Sequence, residues 1–350
     1  MKVDRVAFLS QLEIMEPALD KSSDKTIAWL QFWFEGKYAH AYDGGLCIRV
    51  PLETEFVGGV PGATLIKLLK GAVGKETTLE LKDDTLLVVN GRSRVNLKPV
   101  LGVGGQAFRP PQDTTVEASL TLTEDFLDAA RRLLEMQTSL EPMRVEHRGV
   151  SLFDKAGATA MYVTDSRRLT QITIPEPLPP ALNRVVLPFA LVRQLVRRCG
   201  PGSELVVLKD RLEVRGTGVT LSTNWLDNSA IMDLPAFADN IAAGANSFFD
   251  PPDGLGATLK RAELLMSPKE QQENACVNLK ISDHSMEVKG AFTKGDLEDN
   301  LALGEAAPGE ISVSARFLSH GLGETETMAF TPNAVVCRGQ KEYLYVVAAK

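Results

Sequence analysis

The sequence predicts an α+β protein in which one sheet-rich unit with two amphipathic helices is repeated three times. Three observations predict it. A strand–turn–strand pattern recurs at a spacing of about 120 to 127 residues, a short amphipathic helix precedes each recurrence, and stretches rich in glycine and proline separate the repeats.

The recurring hairpin is the clearest element. In the first unit Leu79 and Leu81 alternate with polar residues before the turn Lys82-Asp83-Asp84-Thr85, and Leu86 and Val88 follow it. In the second unit Leu205 and Val207 precede Lys209-Asp210-Arg211, and Leu212 and Val214 follow. In the third, Met328 and Phe330 precede Thr331-Pro332-Asn333, and Val335 and Cys337 follow. Alternation with a period of two around a turn rich in Asp, Asn and Pro is the pattern of a hairpin with one buried face.

The helix before each hairpin spans Gly62 to Lys70, Phe189 to Arg197, and Ala315 to Leu322. Pro61 and Pro188 stand at the start of the first two, where a missing N–H costs nothing. Ser312 and Ser314 are the candidate caps of the third. A second helix lies earlier in each unit, over Phe8 to Leu19, Glu124 to Met136, and Leu255 to Met266. Asp250-Pro251-Pro252-Asp253 reads as the stop-and-cap signal before the last of these. Strands are expected over Ile27 to Phe34, Leu46 to Leu52, Thr159 to Val163, and Val277 to Ile281. The breaks at Gly102 to Asp113 and Asp233 to Gly254 divide the chain into domains 1–115, 116–234 and 235–350.

At 350 residues each of three domains is large enough to bury a core. The apolar fraction of 44% is ordinary for a globular protein, and no apolar run approaches the length of a membrane span. The start, Met1-Lys2-Val3-Asp4-Arg5, lacks the order of a secretory signal, so a cytoplasmic protein with no membrane partner is expected. Cys47, Cys199, Cys276 and Cys337 are scattered, form no C-x-x-C pair and have no histidines clustered near them; reduced structural cysteines and no metal or cofactor are expected. The sequence contains no G-x-S-x-G, P-loop or H-E-x-x-H pattern. Gly102-Val103-Gly104-Gly105 reads as linker, and the paired acids Asp83-Asp84 fall in a solvated turn, so no catalytic residue is assigned and the protein is not expected to be an enzyme.

A net charge of −7 argues against bulk attraction to nucleic acid, but the charge is unevenly placed. The stretch from Pro61 to Lys75 carries Lys67, Lys70 and Lys75 and no acid. Its counterpart from Pro188 to Gly200 carries Arg193, Arg197 and Arg198 and again no acid. The third has Arg316 and His320. The earlier helices are mixed, with Arg131 and Arg132 beside Glu124, Asp125, Asp128 and Glu135, and Lys260 in the last. Lys67 and Lys70 lie three apart and Arg193 and Arg197 four apart, so each pair shares a helix face. Such a repeated basic face suits phosphates read without regard to base sequence; a plain solvated face is the alternative for any one helix.

Several short segments resemble the bacterial DNA polymerase III beta subunit family, the sliding clamps. Asn90-Gly91-Arg92-Ser93-Arg94-Val95-Asn96-Leu97 resembles that family's Ser-Gly-Arg-Ser-(Arg/Lys)-Phe-x-Leu. Val163-Thr164-Asp165-Ser166-Arg167-Arg168-Leu169 resembles its Ala-Thr-Asp-Gly-His-Arg-Leu-Ala, and Tyr345-Val346-Val347-Ala348-Ala349-Lys350 resembles its closing Tyr-Val-Val-Met-Pro-Met. Order and spacing agree over nearly the whole chain.

The resemblance implies three clamp domains, each with two helices packed on antiparallel sheets, and a head-to-tail homodimer that closes a ring. It implies a processivity factor that encircles double-stranded DNA and tethers a DNA polymerase, with a clamp loader as a further partner. Lys67, Lys70, Lys75, Arg131, Arg132, Arg193, Arg197, Arg198, Lys260 and Arg316 would then face DNA. A partner-peptide pocket would include Thr164, Ser166, Arg167, Arg168, Leu169, Val346 and Ala348, with Pro235 from a segment that resembles the family's Phe-Pro-Asp-Tyr. Ala262-Glu263-Leu264-Leu265 resembles the family's Ala-Ala-Ile-Leu, which implies Leu264 and Leu265 at the dimer interface against Phe108; burial of both leucines in the core is the competing reading. Ala348-Ala349 in place of Met-Pro, and His147 where the family prefers an apolar residue, mark a divergent member of cellular or phage origin. A monomeric peptide-binding or structural protein that kept the clamp fold is the alternative function.

Overall fold

The computed structural model describes residues 1–20, 30–82, 85–98, 115–136, 144–226, 228–282, 284–340 and 343–350. The fold is α+β and grows from one local pattern, a strand, a helix and a three-stranded antiparallel meander, used along the whole chain. Its first copy is β1 (Lys2–Asp4), α1 (Arg5–Met15), β2 (Gln31–Glu35), β3 (Tyr38–Tyr42) and β4 (Leu46–Pro51). Its second is β5 (Val57–Pro61), α2 (Gly62–Gly71), β6 (Glu76–Lys82), β7 (Thr85–Asn90) and β8 (Ser93–Leu97). The third and fourth are β9 (Val116–Thr121), α3 (Glu124–Glu135), β10 (Gly149–Lys155), β11 (Ala158–Thr164), β12 (Arg168–Ile174), and β13 (Val185–Pro188), α4 (Phe189–Arg198), β14 (Glu204–Leu208), β15 (Arg211–Gly216), β16 (Val219–Asn224).

A helix absent from this pattern, α5 (Leu234–Ala243), comes next. The fifth copy has α6 (Leu255–Leu265), a short α7 (Pro268–Gln272), β17 (Cys276–Ser282), β18 (Ser285–Phe292) and β19 (Gly295–Ala302). Its leading strand is reduced to a single bridge between Phe249 and Met328. The sixth is β20 (Gly309–Ser314), α8 (Ala315–Leu322), β21 (Thr327–Thr331), β22 (Ala334–Gly339) and β23 (Tyr343–Ala348).

The hairpin registers follow from the alternation of apolar residues. Leu79 pairs with Val88 and Leu81 with Leu86; Leu205 pairs with Val214 and Val207 with Leu212; Met328 pairs with Cys337 and Phe330 with Val335. Each expected pair stands directly opposite; the first hairpin buries Leu79, Leu86 and Val88, while the second buries the alternate row as well, with Val206 and Glu213. The turn residues Asp83 and Asp84 lie outside the described residues.

All six expected helices form. α1 begins earlier than expected, at Arg5, because Asp4 caps it by accepting from the Ala7 N–H at 2.8 Å. Pro61 and Pro188 each close a strand, and the helix starts at the next residue. Ser314 caps α8, accepting from the Phe317 N–H at 3.3 Å. The expected cap of α6 is corrected: Gly254, in the left-handed region at φ 87°, precedes the helix, and no side chain caps it. The break expected over Asp233 to Gly254 is also corrected, since it contains α5, capped by Asp233 through the Ala236 N–H at 3.1 Å.

The chain forms two compact units, Met1–Leu127 with Arg193–Trp225, and Asp128–Val192 with Leu226–Lys350. The first holds a four-stranded sheet in the order β1-β6-β7-β8 and an eight-stranded sheet in the order β5-β2-β3-β4-β16-β15-β14-β9. α1 packs on α2, and Phe8, Leu12 and Met15 of one and Leu65, Ile66 and Leu69 of the other are buried. The second unit holds a seven-stranded sheet, β13-β10-β11-β12-β23-β22-β21, and a four-stranded sheet, β19-β18-β17-β20, with α6 packed on α8. Every pairing among the described residues is antiparallel, and β10, β11, β12 and β23 are buried on both faces. Cys47, Cys199 and Cys337 are buried free thiols, and burial pushes Cys47 and Cys337 up to about 12. No helix among the described residues is long and apolar enough to cross a membrane.

Candidate peptide pocket and basic helices

Residues from five separate stretches of the second unit meet around one cavity of about 640 Å³. The turn between β11 and β12 supplies Thr164, Ser166, Arg167, Arg168 and Leu169, and β23 supplies Val346 and Ala348. These are seven of the eight residues expected there. Pro235 is not in the lining; it sits in the first turn of α5, whose Phe237, Asn240 and Ile241 do line the cavity. A proline is well placed at a helix start, so its effect on the cavity is through the helix it begins.

The turn is built locally. The Asp165 carboxylate accepts from the N–H groups of Arg167 and Arg168 at 3.1 and 3.0 Å, and the Thr164 hydroxyl donates to the Arg168 carbonyl at 2.8 Å. Asp43 makes the same turn in the first unit, accepting from Gly45 and Leu46 at 2.9 and 2.7 Å. The acid in each case is a turn former. The residue after it adopts a positive φ in both places, Gly44 at 97° and Ser166 at 71°. Serine there bears a strain that glycine avoids, and its hydroxyl lies 3.0 Å from His147 Nε2.

Arg168 is a buried structural residue whose head is already engaged. Its Nε donates to Asp165 at 2.9 Å, its Nη2 to the Met136 carbonyl at 2.8 Å, and its Nη1 lies 2.9 Å from His320 Nδ1. The guanidinium also stands 4.6 Å over the Phe317 ring. Burial and the neighbouring Arg168 and Arg316 charges push His320 below its ordinary value, so near neutral pH the ring is uncharged and offers Nδ1 as an acceptor. His147 lies on the turn Val145–Arg148, and burial lowers it against the opposing pull of Glu146 and Asp165.

The candidate cations divide between the two units. In the first, Lys67, Lys70, Lys75, Arg193, Arg197 and Arg198 are all exposed. The basic face of α2 is less free than its own sequence suggests, because Glu13 of α1 pairs with Lys70 at 2.8 Å. Arg198 Nη2 reaches the Glu13 carbonyl at 3.5 Å, which brings the cations of two repeats to one place. In the second unit Arg131 and Arg132 both pair with Asp128, at 3.2 and 3.1 Å, and Arg132 also with Glu324 at 3.2 Å. Lys67, Lys75, Arg197, Lys260 and Arg316 have no carboxylate partner among the described residues.

Of the expected interface residues, Leu264 is 73% exposed on α6 and Leu265 is half-buried, so full burial of the pair in the core is ruled out. Phe108 lies outside the described residues. Within the sheet orders of the two units, β8 and β19 are edge strands. The turn and strand Gly91 to Leu97 carry Arg92 and Arg94 and no acid, whereas β19 carries Asp296, Glu298 and Asp299 and no base. Beside β8 lies a hollow of about 500 Å³ lined by Lys67, Leu68, Val73, Val88, Arg92 and Val95, and Val73 is 96% exposed.

No protein-family model matches the sequence, and no curated protein matches it. Solved structures match it along its full length. The putative DNA polymerase III beta subunit from Eubacterium rectale is 11% identical with a TM-score of 0.85, covering 100% of this chain and 98% of that one. The DNA polymerase sliding clamp from Pseudomonas aeruginosa is 17% identical with a TM-score of 0.80, covering 100% and 99%. The sliding clamp from Bartonella birtlesii, solved bound to griselimycin, is 17% identical with a TM-score of 0.83, covering 100% and 98%. At such identities it is the architecture that is held in common, from first strand to last: this chain has the fold of the DNA polymerase III beta subunits.

Proposed function

We propose that this protein is a sliding clamp: a non-enzymatic processivity factor that closes around double-stranded DNA as a head-to-tail homodimer and tethers a DNA polymerase. The observation that carries the reading is the agreement of fold over the entire chain. The three domains 1–115, 116–234 and 235–350 then each hold two copies of the strand–helix–meander pattern.

Charge supports the same reading. An acidic protein that places Lys67, Lys70, Lys75, Arg193, Arg197 and Arg198, all exposed, in one unit has a surface suited to phosphates. Arg131, Arg132, Lys260 and Arg316 would complete the DNA-facing set, with Arg131 and Arg132 weakened by Asp128. Topological linkage needs only low affinity, so partial neutralisation of the cations favours sliding.

Ring closure is supported by two unlike edges. β8, with Arg92, Arg94 and the hollow beside Val73, complements β19, with its three acids and the exposed Leu264 on the helix packed against it. Complementary unlike surfaces give a heterologous contact, which closes a ring when the rotation allows. In this arrangement Lys67 lies at the ring joint as well as near the lining. The cavity bounded by Thr164, Ser166, Arg167, Arg168, Leu169, Val346 and Ala348, with α5 beyond Pro235, is the proposed docking slot for peptides of the polymerase and a clamp loader.

The test is retention on DNA. Loaded onto a nicked circle, the protein should stay bound through gel filtration and be released when the circle is cut. Equal retention on circular and linear DNA would refute encirclement.

A further inference from the structure

Leu264, placed at the joint by the proposed ring on which this inference rests, sits in the last turn of α6. The last four carbonyls of a helix have no partner within it. The chain leaves α6 at Met266 in an extended conformation, and three of those carbonyls are bonded from outside the helix. The Glu263 carbonyl accepts from Gln271 Nε2 at 3.0 Å, and the Leu264 carbonyl from Lys294 Nζ at 3.2 Å. The Leu265 carbonyl accepts from the Lys294 N–H at 3.2 Å. The ammonium also has the sign that a helix C-terminus favours.

One carboxylate holds both sources of these donors. α7 opens with a capping box, in which Glu270 Oε2 accepts from the Ser267 N–H at 2.7 Å and Ser267 Oγ from the Glu270 N–H at 3.3 Å. The same carboxylate accepts from the Thr293 N–H, at 3.0 Å to Oε1 and 3.3 Å to Oε2. Thr293 and Lys294 form the turn from β18 into β19, and Gly295, the first residue of that edge strand, lies beside Leu265. The Ser267 N–H, with the Ser267 hydroxyl and Thr293 behind it, holds the Glu270 carboxyl down at about 2, so it is ionised near neutral pH. None of the five residues of α7 is buried, so the helix adds hydrogen bonds rather than core.

We propose that Glu270 and Lys294 are positioning residues for the ring joint. Together they fasten the last turn of α6 to the start of the β19 edge, so that Leu264 and the exposed Asp296 reach the second copy already in place. An interface whose groups are ordered before contact loses less affinity to ordering them. The gain lies in the lifetime of the closed ring more than in the rate at which it closes.

Subunit exchange tests this on the full-length protein. Isotopically light and heavy samples are mixed, and native mass spectrometry follows the dimer of mixed mass. Glu270→Ala should exchange about tenfold faster than the parent, a change of the size expected when a pre-ordered turn must be ordered on contact. Glu270→Gln keeps an oxygen acceptor for the Thr293 N–H and should fall between the two. Glu270→Ala placed in the Leu264→Asp background, where no joint forms, should leave the urea midpoint nearly unchanged, since α7 lies outside the core. Exchange at the parent rate in Glu270→Ala overturns the proposal and leaves the ring standing. A glutamine variant no slower than the alanine one overturns the assignment of the acceptor oxygens, and the proposal with it. A urea midpoint lowered in step with the faster exchange marks a general loss of stability and overturns it as well. A parent protein that is monomeric removes the ring itself, and this inference with it.

Discussion

The ammonium group of Lys70 stands 2.8 Å from the carboxylate of Glu13, on a neighbouring helix. The bond raises Lys70 above its ordinary value and keeps it charged, yet cancels its field towards a phosphate. Glu13→Gln should therefore strengthen non-specific duplex binding at low salt. The slope of log affinity against log salt should steepen by about one, the signature of one further phosphate contact. Fluorescence anisotropy across a salt series measures it; an unchanged slope would remove Lys70 from the DNA-facing set.

Leu264 projects from α6 with 73% of its surface exposed. Leu264→Asp should leave the fold intact, since the side chain contributes little to the core, and should prevent ring closure. Light scattering after size exclusion should give twice 38.0 kDa for the parent protein and once for the variant. A parent that is itself monomeric would favour a clamp fold that does not encircle DNA.

Arg168 and Asp165 form an ion pair with side chains 5% and 4% exposed. Arg168→Ala leaves the Asp165 charge buried with only its two main-chain donors, and frees the Met136 carbonyl. Breaking one half of a buried pair costs about 3 kcal/mol, which urea unfolding should show. An effect under about 1 kcal/mol would mean that water replaces the guanidinium.

Gly321 lies in α8 against Tyr345, whose hydroxyl donates to the Phe317 carbonyl at 2.5 Å. Helix propensity favours alanine over glycine by about 1 kcal/mol. A Cβ here would come 2.0 Å from the Tyr345 ring, which is fully buried and tied at its far end. Overpacking should win, so Gly321→Ala should destabilise by about 2 kcal/mol, seen as a lower thermal midpoint.

The hairpins and six helices were legible because each has a period that sequence displays directly. Leu205, Val207, Leu212 and Val214 alternate, and Leu65, Ile66 and Leu69 share a helix face. α5 was not, because Ala242-Ala243-Gly244 looks like a break; the signal that could have found it is Asp233 as a cap, Pro235 in the first turn, and Leu234, Ala238 and Ile241 at helical spacing. Its Phe237, Asn240 and Ile241 were accordingly missing from the expected pocket. Charge counted along one helix could not reveal Glu13 beside Lys70, since the two are joined only by packing. Arg168 was expected in the pocket and lines it, but sequence does not say what holds its guanidinium; Asp165, His320 and Met136 do.

The pairing of β4 with β16 sets Arg49 opposite Thr220 in the eight-stranded sheet. On a ribosome adding about 5–20 residues per second, β4 emerges and then waits roughly ten to thirty seconds for its neighbour to be made. Throughout that interval its apolar members Leu46, Cys47, Ile48 and Val50 border an unfilled ladder of amides and carbonyls. Over that interval the nascent chain carries a hazard of mispairing with other nascent chains along this edge, and completion of β16 closes it.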